Sequence, residues 1–122
     1  MMLCVAVAGA VLALATDHFT LSWTHSVART RWTERWEVTE TTLRPVEAEL
    51  QGPGAGMEIP DDAVRTAQGW RYTPHVPAQL EVVLAASGET PGGWMICALG
   101  ECHELGRQAG PPLRLWAAAD CG

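Results

Sequence analysis

The sequence predicts an all-β domain: a small antiparallel β-sandwich or partly open barrel of about 6–8 short strands, with at most one short helix. Three observations predict it. Apolar and polar residues alternate with a period of two over Phe19–Val27 and again over Arg31–Val38. Clusters of Gly, Pro, Asp or Ser punctuate the chain at short intervals. No stretch carries the 3.6-residue period of a long amphipathic helix, and none repeats. The chain has 122 residues, 48% of them hydrophobic and 18% charged. That is a single folding unit of ordinary globular composition, too short for a (β/α) barrel or a two-domain enzyme.

Met1 to Ala15 (MMLCVAVAGAVLALA) is apolar and has no charged side chain. It fits a secretory signal ending in Ala13-Leu14-Ala15, with cleavage before Thr16, or a short membrane tether. It is shorter than the roughly 20 residues a membrane-spanning helix needs. The alternative is a buried N-terminal strand or helix. Export predicts a periplasmic or extracytoplasmic location, a domain spanning 16–122, and conditions in which disulfides form. Cleavage would remove Cys4 and leave Cys97, Cys102 and Cys121.

In the first strand Phe19, Leu21, Trp23, His25 and Val27 share one face; Thr20, Ser22, Thr24 and Ser26 share the other. In the second, Trp32, Glu34, Trp36 and Val38 share a face, with Arg31, Thr33, Arg35 and Glu37 opposite. A hairpin centred between Arg29 and Thr30 pairs Val27/Trp32, His25/Glu34, Trp23/Trp36 and Leu21/Val38. His25 and Glu34 then face each other on a Trp-lined surface, within reach of a hydrogen bond. The pair reads either as part of a ligand pocket or as a buried polar contact that pins the register. Ser26 points away from His25's face, which weakens a serine-hydrolase reading.

Leu43 to Leu50 is a weaker third strand. Gln51 to Pro60 is a glycine- and proline-rich loop. Its amides could cradle an anion, but a phosphate-binding GxxxxGK[ST] or GxGxxG pattern is absent, and a crossover loop is the simpler reading. Glu58, Asp61 and Asp62 lack the spacing of a calcium loop. One or two helical turns are expected over Asp61–Ala67. Shorter strands follow at Gly69–Tyr72, Leu80–Ala86, Gly93–Ala98, Glu101–Leu105 and Leu113–Ala117.

Trp94 to Leu105 reads as a second hairpin turning at Leu99-Gly100, which sets Cys97 opposite Cys102 at a spacing suited to a cross-strand disulfide. The C-x4-C-H spacing of Cys97, Cys102 and His103 suits neither a zinc site nor a c-type haem, so no metal and no cofactor is expected. Cys121 is left to pair with Cys97 or Cys102, or to remain free.

The net charge is −6, with 8 basic residues that are all Arg. An acidic chain without a basic run is a poor partner for nucleic acid or anionic lipid, so contact with a membrane is expected through the N-terminal segment alone.

Phe19–Val27 with its Thr24-His25-Ser26-Val27 string, the acids of Thr33-Glu34-Arg35-Trp36-Glu37, Gly54-Ala55-Gly56-Met57 before Pro60, and Gly69 beside an aromatic together resemble the bacterial "domain of unknown function 1850" family. The resemblance spans roughly Phe19 to Leu105. It implies a small exported protein of a kind often encoded beside TAXI-type TRAP transporters, which take up organic anions. It implies Thr24, His25, Ser26, Glu34, Gly54, Ala55, Gly56 and Met57 as ligand- or partner-binding residues. The expected partners are a TRAP membrane or solute-binding subunit, or a small organic anion, with Arg31 or Arg35 assisting. Two other readings stand beside it: a small hydrolase-like enzyme with His25 and Glu34 as acid–base couple, lacking a convincing nucleophile, and a purely structural β-domain.

Overall fold

The structure, a computed structural model, describes residues 1–24, 30–52, 59–88 and 92–122. It is all β. Eleven strands run β1 Met2–Val7, β2 Ala10–Leu14, β3 His18–Thr24, β4 Arg31–Val38, β5 Leu43–Gln51, β6 Val64–Arg65, β7 Gly69–Tyr72, β8 Val82–Ala86, β9 Trp94–Ala98, β10 Glu101–Leu105 and β11 Gly110–Ala118. They form two antiparallel sheets, one ordered β2-β1-β11-β8 and the other β10-β9-β3-β4-β5-β7-β6. Leu3, Val5, Leu14, Leu84, Leu113 and Leu115 of the small sheet close on Phe19, Leu21, Trp36, Val38, Leu43 and Ile96 of the large one, forming one core. No helix among the described residues is long and apolar enough to cross a membrane.

Eight of these strands lie where sequence patterning expects them. The other three are β1, β2 and β6. In place of helical turns over Asp61–Ala67 the chain makes a turn at Asp61-Asp62 and then the short strand β6, hydrogen-bonded to β7.

The N-terminal run takes the buried-strand alternative. Its residues form the hairpin β1–β2, and β1 lies inside the small sheet between β2 and β11. Leu3, Cys4 and Val5 are wholly buried. These three consecutive buried residues leave β1 without polar alternation, so it is written in the same continuous apolar code as a leader. The first strand of the structure thus starts at Met2. Cys121 finds a partner that the leader reading had removed: it is disulfide-bonded to Cys4, across a separation of 117 residues.

The first hairpin has a different register from the expected one. Phe19 pairs with Trp36, Leu21 with Glu34, Trp23 with Trp32 and Thr24 with Arg31. The pairing is displaced by four residues, an even number, so every residue keeps its face and hydrophobic alternation cannot distinguish the two registers. Cross-strand aromatic contacts can. The observed register makes two, Phe19–Trp36 with ring centroids 6.0 Å apart and Trp23–Trp32 at 5.7 Å, both stacked; the expected one makes a single pair, Trp23–Trp36. Thr30, expected beside the turn centre, is 3% exposed.

The second hairpin matches expectation. Leu99 and Gly100 form its turn with φ of 56° and 77°, a two-residue connection whose positive dihedrals suit the strand twist. Cys97 and Cys102 are directly paired and disulfide-bonded. Gly69 is a position where only glycine fits: a Cβ there would lie 1.8 Å from the Leu50 carbonyl oxygen, at the point where β7 begins its pairing with β5.

Candidate functional site

The large sheet is wider than the small one, and its inner face carries the unusual residues. Directly paired residues share a face, so register alone assembles this surface. One row across the sheet runs His103, Ile96, Leu21, Glu34, Ala48 and Tyr72. In the next row Trp23 pairs with Trp32, Trp32 with Leu50, Leu50 with Trp70, and Trp70 with Arg65. Trp94 packs against Trp23 with centroids 5.1 Å apart, and Tyr72 meets Trp32 edge-on at 6.4 Å. The Arg65 guanidinium stands 5.3 Å from the Trp70 ring, a cation–π distance.

Glu34 is the one acid in the first of these rows. Leu21 and Ala48 flank it on the adjacent strands. Among the described residues no basic side chain forms an ion pair with it. The Trp36 indole Nε1–H donates to its Oε1 at 3.2 Å. Burial pushes the carboxyl above its usual range, and the Trp36 hydrogen bond offsets part of that rise. Tyr72 is also shifted up, first by burial and then by the negative field of Glu34, which ties the two groups into one electrostatic unit. Among the described residues, two buried indole donors, Trp32 Nε1 and Trp70 Nε1, have no hydrogen-bond partner, an unfavourable state for a buried N–H. The site therefore combines an apolar aromatic floor, a carboxyl whose pKa burial raises, and indole donors without a partner among the described residues.

The expected site residues divide into three groups. Glu34 lies on the inner face as expected, and its direct partner on β3 is Leu21. Thr24 pairs with Arg31 and belongs to the opposite, outer face. Arg31 and Arg35 also face outward: Arg31 Nη2 donates to Ser22 Oγ at 2.8 Å, and Arg35 lies 3.5 Å from Glu47. Neither can assist at Glu34. His25, Ser26, Gly54, Ala55, Gly56 and Met57 lie outside the described residues.

The points where those two motif-bearing segments join the sheet are described. Arg31 pairs with both Thr24 and Gln51, so the segment after Thr24 and the segment after Gly52 leave from the same end of the sheet. Thr30 Oγ1 is 3.5 Å from where a Cβ on Gly52 would lie, and the Gly52 amide donates to the Gln68 carbonyl at 2.8 Å. The row Trp23-Trp32-Leu50-Trp70 is the last inner-face row before that end.

Trp70 and Tyr72 were not anticipated. The signal was present in Gly69-Trp70-Arg71-Tyr72, whose period of two sets both aromatics on one face, but four residues alone do not announce which face is the inner one.

Among the described residues no group of three or more His, Cys, Asp and Glu is placed to hold a metal ion. A separate open groove of about 430 Å³ is lined by Asp17, His18, Arg35, Trp36, Glu37 and Val46. In it His18 Nδ1 lies 2.6 Å from Asp17 Oδ1; both side chains are exposed, and the hydrogen bond itself holds the Asp17 carboxyl below its usual range.

No curated protein and no solved structure matches the chain. A family model does, over residues 19–105, a span that contains Glu34 and every aromatic residue of the inner-face rows. The chain belongs to that family, DUF1850, a domain of unknown function.

Proposed function

We propose that the protein is an extracytoplasmic accessory module that binds a small organic anion, in association with a TRAP-type uptake system. The observation that carries the ligand reading is Glu34. It is a half-buried carboxyl with no cationic partner among the described residues, raised by burial, on a floor of Trp23, Trp32 and Tyr72. A neutral carboxyl there is a hydrogen-bond donor, and the Trp32 indole N–H is a second donor without an acceptor among the described residues. Two neutral donors on an apolar surface suit a carboxylate, whose oxygens accept only. The position of the site at the end where segments 25–29 and 53–58 join the sheet supports the same reading. The two disulfides support an extracytoplasmic location. Association with a TRAP membrane or solute-binding subunit rests on the family resemblance.

Calorimetric titration of the full chain with acetate, succinate and glutamate tests the ligand. At least one is expected to bind, and Glu34→Ala is expected to abolish that binding while the fold is retained. Co-purification with the transporter subunits tests the association. No binding of any carboxylate, or binding unchanged in Glu34→Ala, overturns the ligand reading; no association, with uptake unaffected by deletion, overturns the accessory role.

A further inference from the structure

The two disulfides occupy opposite physical settings. Cys4 is wholly buried in a central strand and is joined to Cys121, 117 residues away. Cys97 and Cys102 are five residues apart in a hairpin that is already held by five paired positions and a two-residue turn. Their bond is not needed to bring β9 and β10 together. Cys102 is exposed, and β10 is the terminal strand of the large sheet, with no described strand on its far side. At the hairpin tip Leu99 presents a large apolar side chain that is 63% exposed.

We propose that Cys97–Cys102 is a site of thiol–disulfide exchange, reduced in the folded domain by the dithiol of a second, thioredoxin-like protein, while Cys4–Cys121 is the permanent cross-link. An exposed disulfide on a sheet edge is open to attack, and short-loop exposed bonds are the reducible ones. The free edge of β10 offers backbone groups to an extended segment of the partner, and Leu99 offers it an apolar contact. The reaction balances as two exchanges. A thiolate of the partner attacks Cys102 Sγ, the Cys97–Cys102 bond breaks, and Cys97 leaves as thiolate. The partner's second thiolate then attacks its own sulfur in the mixed disulfide and releases Cys102. Two electrons and two protons pass from the partner's dithiol to the pair, and the partner leaves as a disulfide. The inference does not depend on a ligand at Glu34.

The test uses the oxidised full-length chain in native buffer with reduced thioredoxin. Free thiols are trapped with N-ethylmaleimide at intervals and located by peptide mass. Cys97 and Cys102 are expected to become labelled at least about tenfold faster than Cys4 and Cys121, with the near-UV circular dichroism of the native fold preserved. A thioredoxin whose second active-site cysteine is replaced by serine is expected to be captured on Cys102. Equal labelling of both pairs, loss of the native signal on reduction of Cys97–Cys102, or capture at Cys4 or Cys121 overturns the proposal.

Discussion

Replacing Leu3 with alanine tests whether the N-terminal run is structural. Leu3 is wholly buried, paired with Leu14 on one side and Ala117 on the other, and belongs to the core cluster. The substitution removes three carbon atoms from a site whose neighbour Ala117 is too small to fill the space. Buried Leu→Ala changes cost about 2–5 kcal/mol, and a central strand that cannot collapse onto the gap argues for about 3. For a domain of this size that corresponds to a fall in melting temperature of roughly 10 °C. In urea it lowers the midpoint by roughly 1–3 M with an unchanged slope. Leu80→Ala is the control: Leu80 is 75% exposed, and its truncation is expected to change stability by less than about 0.5 kcal/mol. Urea unfolding of the full chain followed by circular dichroism reads both. If Leu3→Ala unfolds with the same midpoint as Leu80→Ala, residues 2–14 are not part of the folded unit and the placement of β1 is wrong.

The remaining predictions concern the site and its scaffold. Glu34→Gln is expected to stabilise the protein at neutral pH and to be neutral in acid. The carboxyl's folded pKa is raised, so the wild type is relieved of the burial cost below the unfolded value and loses stability as pH rises through the folded one; denaturant melts at pH 3 and pH 7, about a unit or more either side of the ordinary carboxylate value, give the comparison. The same variant is expected to lower the Tyr72 pKa, because the Glu34 charge is one cause of its rise. The chain has one tyrosine, so tyrosinate absorbance reports that group alone, and an unmoved titration would dissolve the Glu34–Tyr72 unit. Gly69→Ala is expected to destabilise by more than about 1 kcal/mol, since the new methyl group meets backbone rather than a movable side chain; an unaltered melting temperature contradicts the close approach of β5 and β7.

What could be read from the residues, and what could not, follows from the kind of information each pattern carries. Alternation over Phe19–Val27 and Arg31–Val38 identifies strands and the face of each side chain, and both hold over the described Phe19–Thr24 and Arg31–Val38. It carries no information on a register shift by an even number of residues, which is why Glu34 was expected opposite His25 and stands opposite Leu21. Aromatic pairing is the additional criterion: two stacked pairs outweigh one. The Cys97/Cys102 pair was readable because the Leu99-Gly100 turn fixes a short hairpin locally. The Cys4/Cys121 pair was not, because it depends on the role given to residues 1–15, and a continuous apolar run is compatible with both an address and a buried strand. Trp70 and Tyr72 reach the site through pairing of β7 with β5 across a long connection, a contact that no local pattern encodes.

The central claim is that Glu34, in its neutral form, donates a hydrogen bond to a bound carboxylate. The most direct measurement is the affinity for the tightest of the three carboxylates as a function of pH, compared between wild type and Glu34→Gln. Wild-type affinity is expected to fall as pH rises through the raised Glu34 pKa. Glu34→Gln, whose amide N–H still donates, is expected to bind with no such fall. Parallel pH profiles in the two proteins, or wild-type affinity that strengthens as pH rises, would contradict that claim.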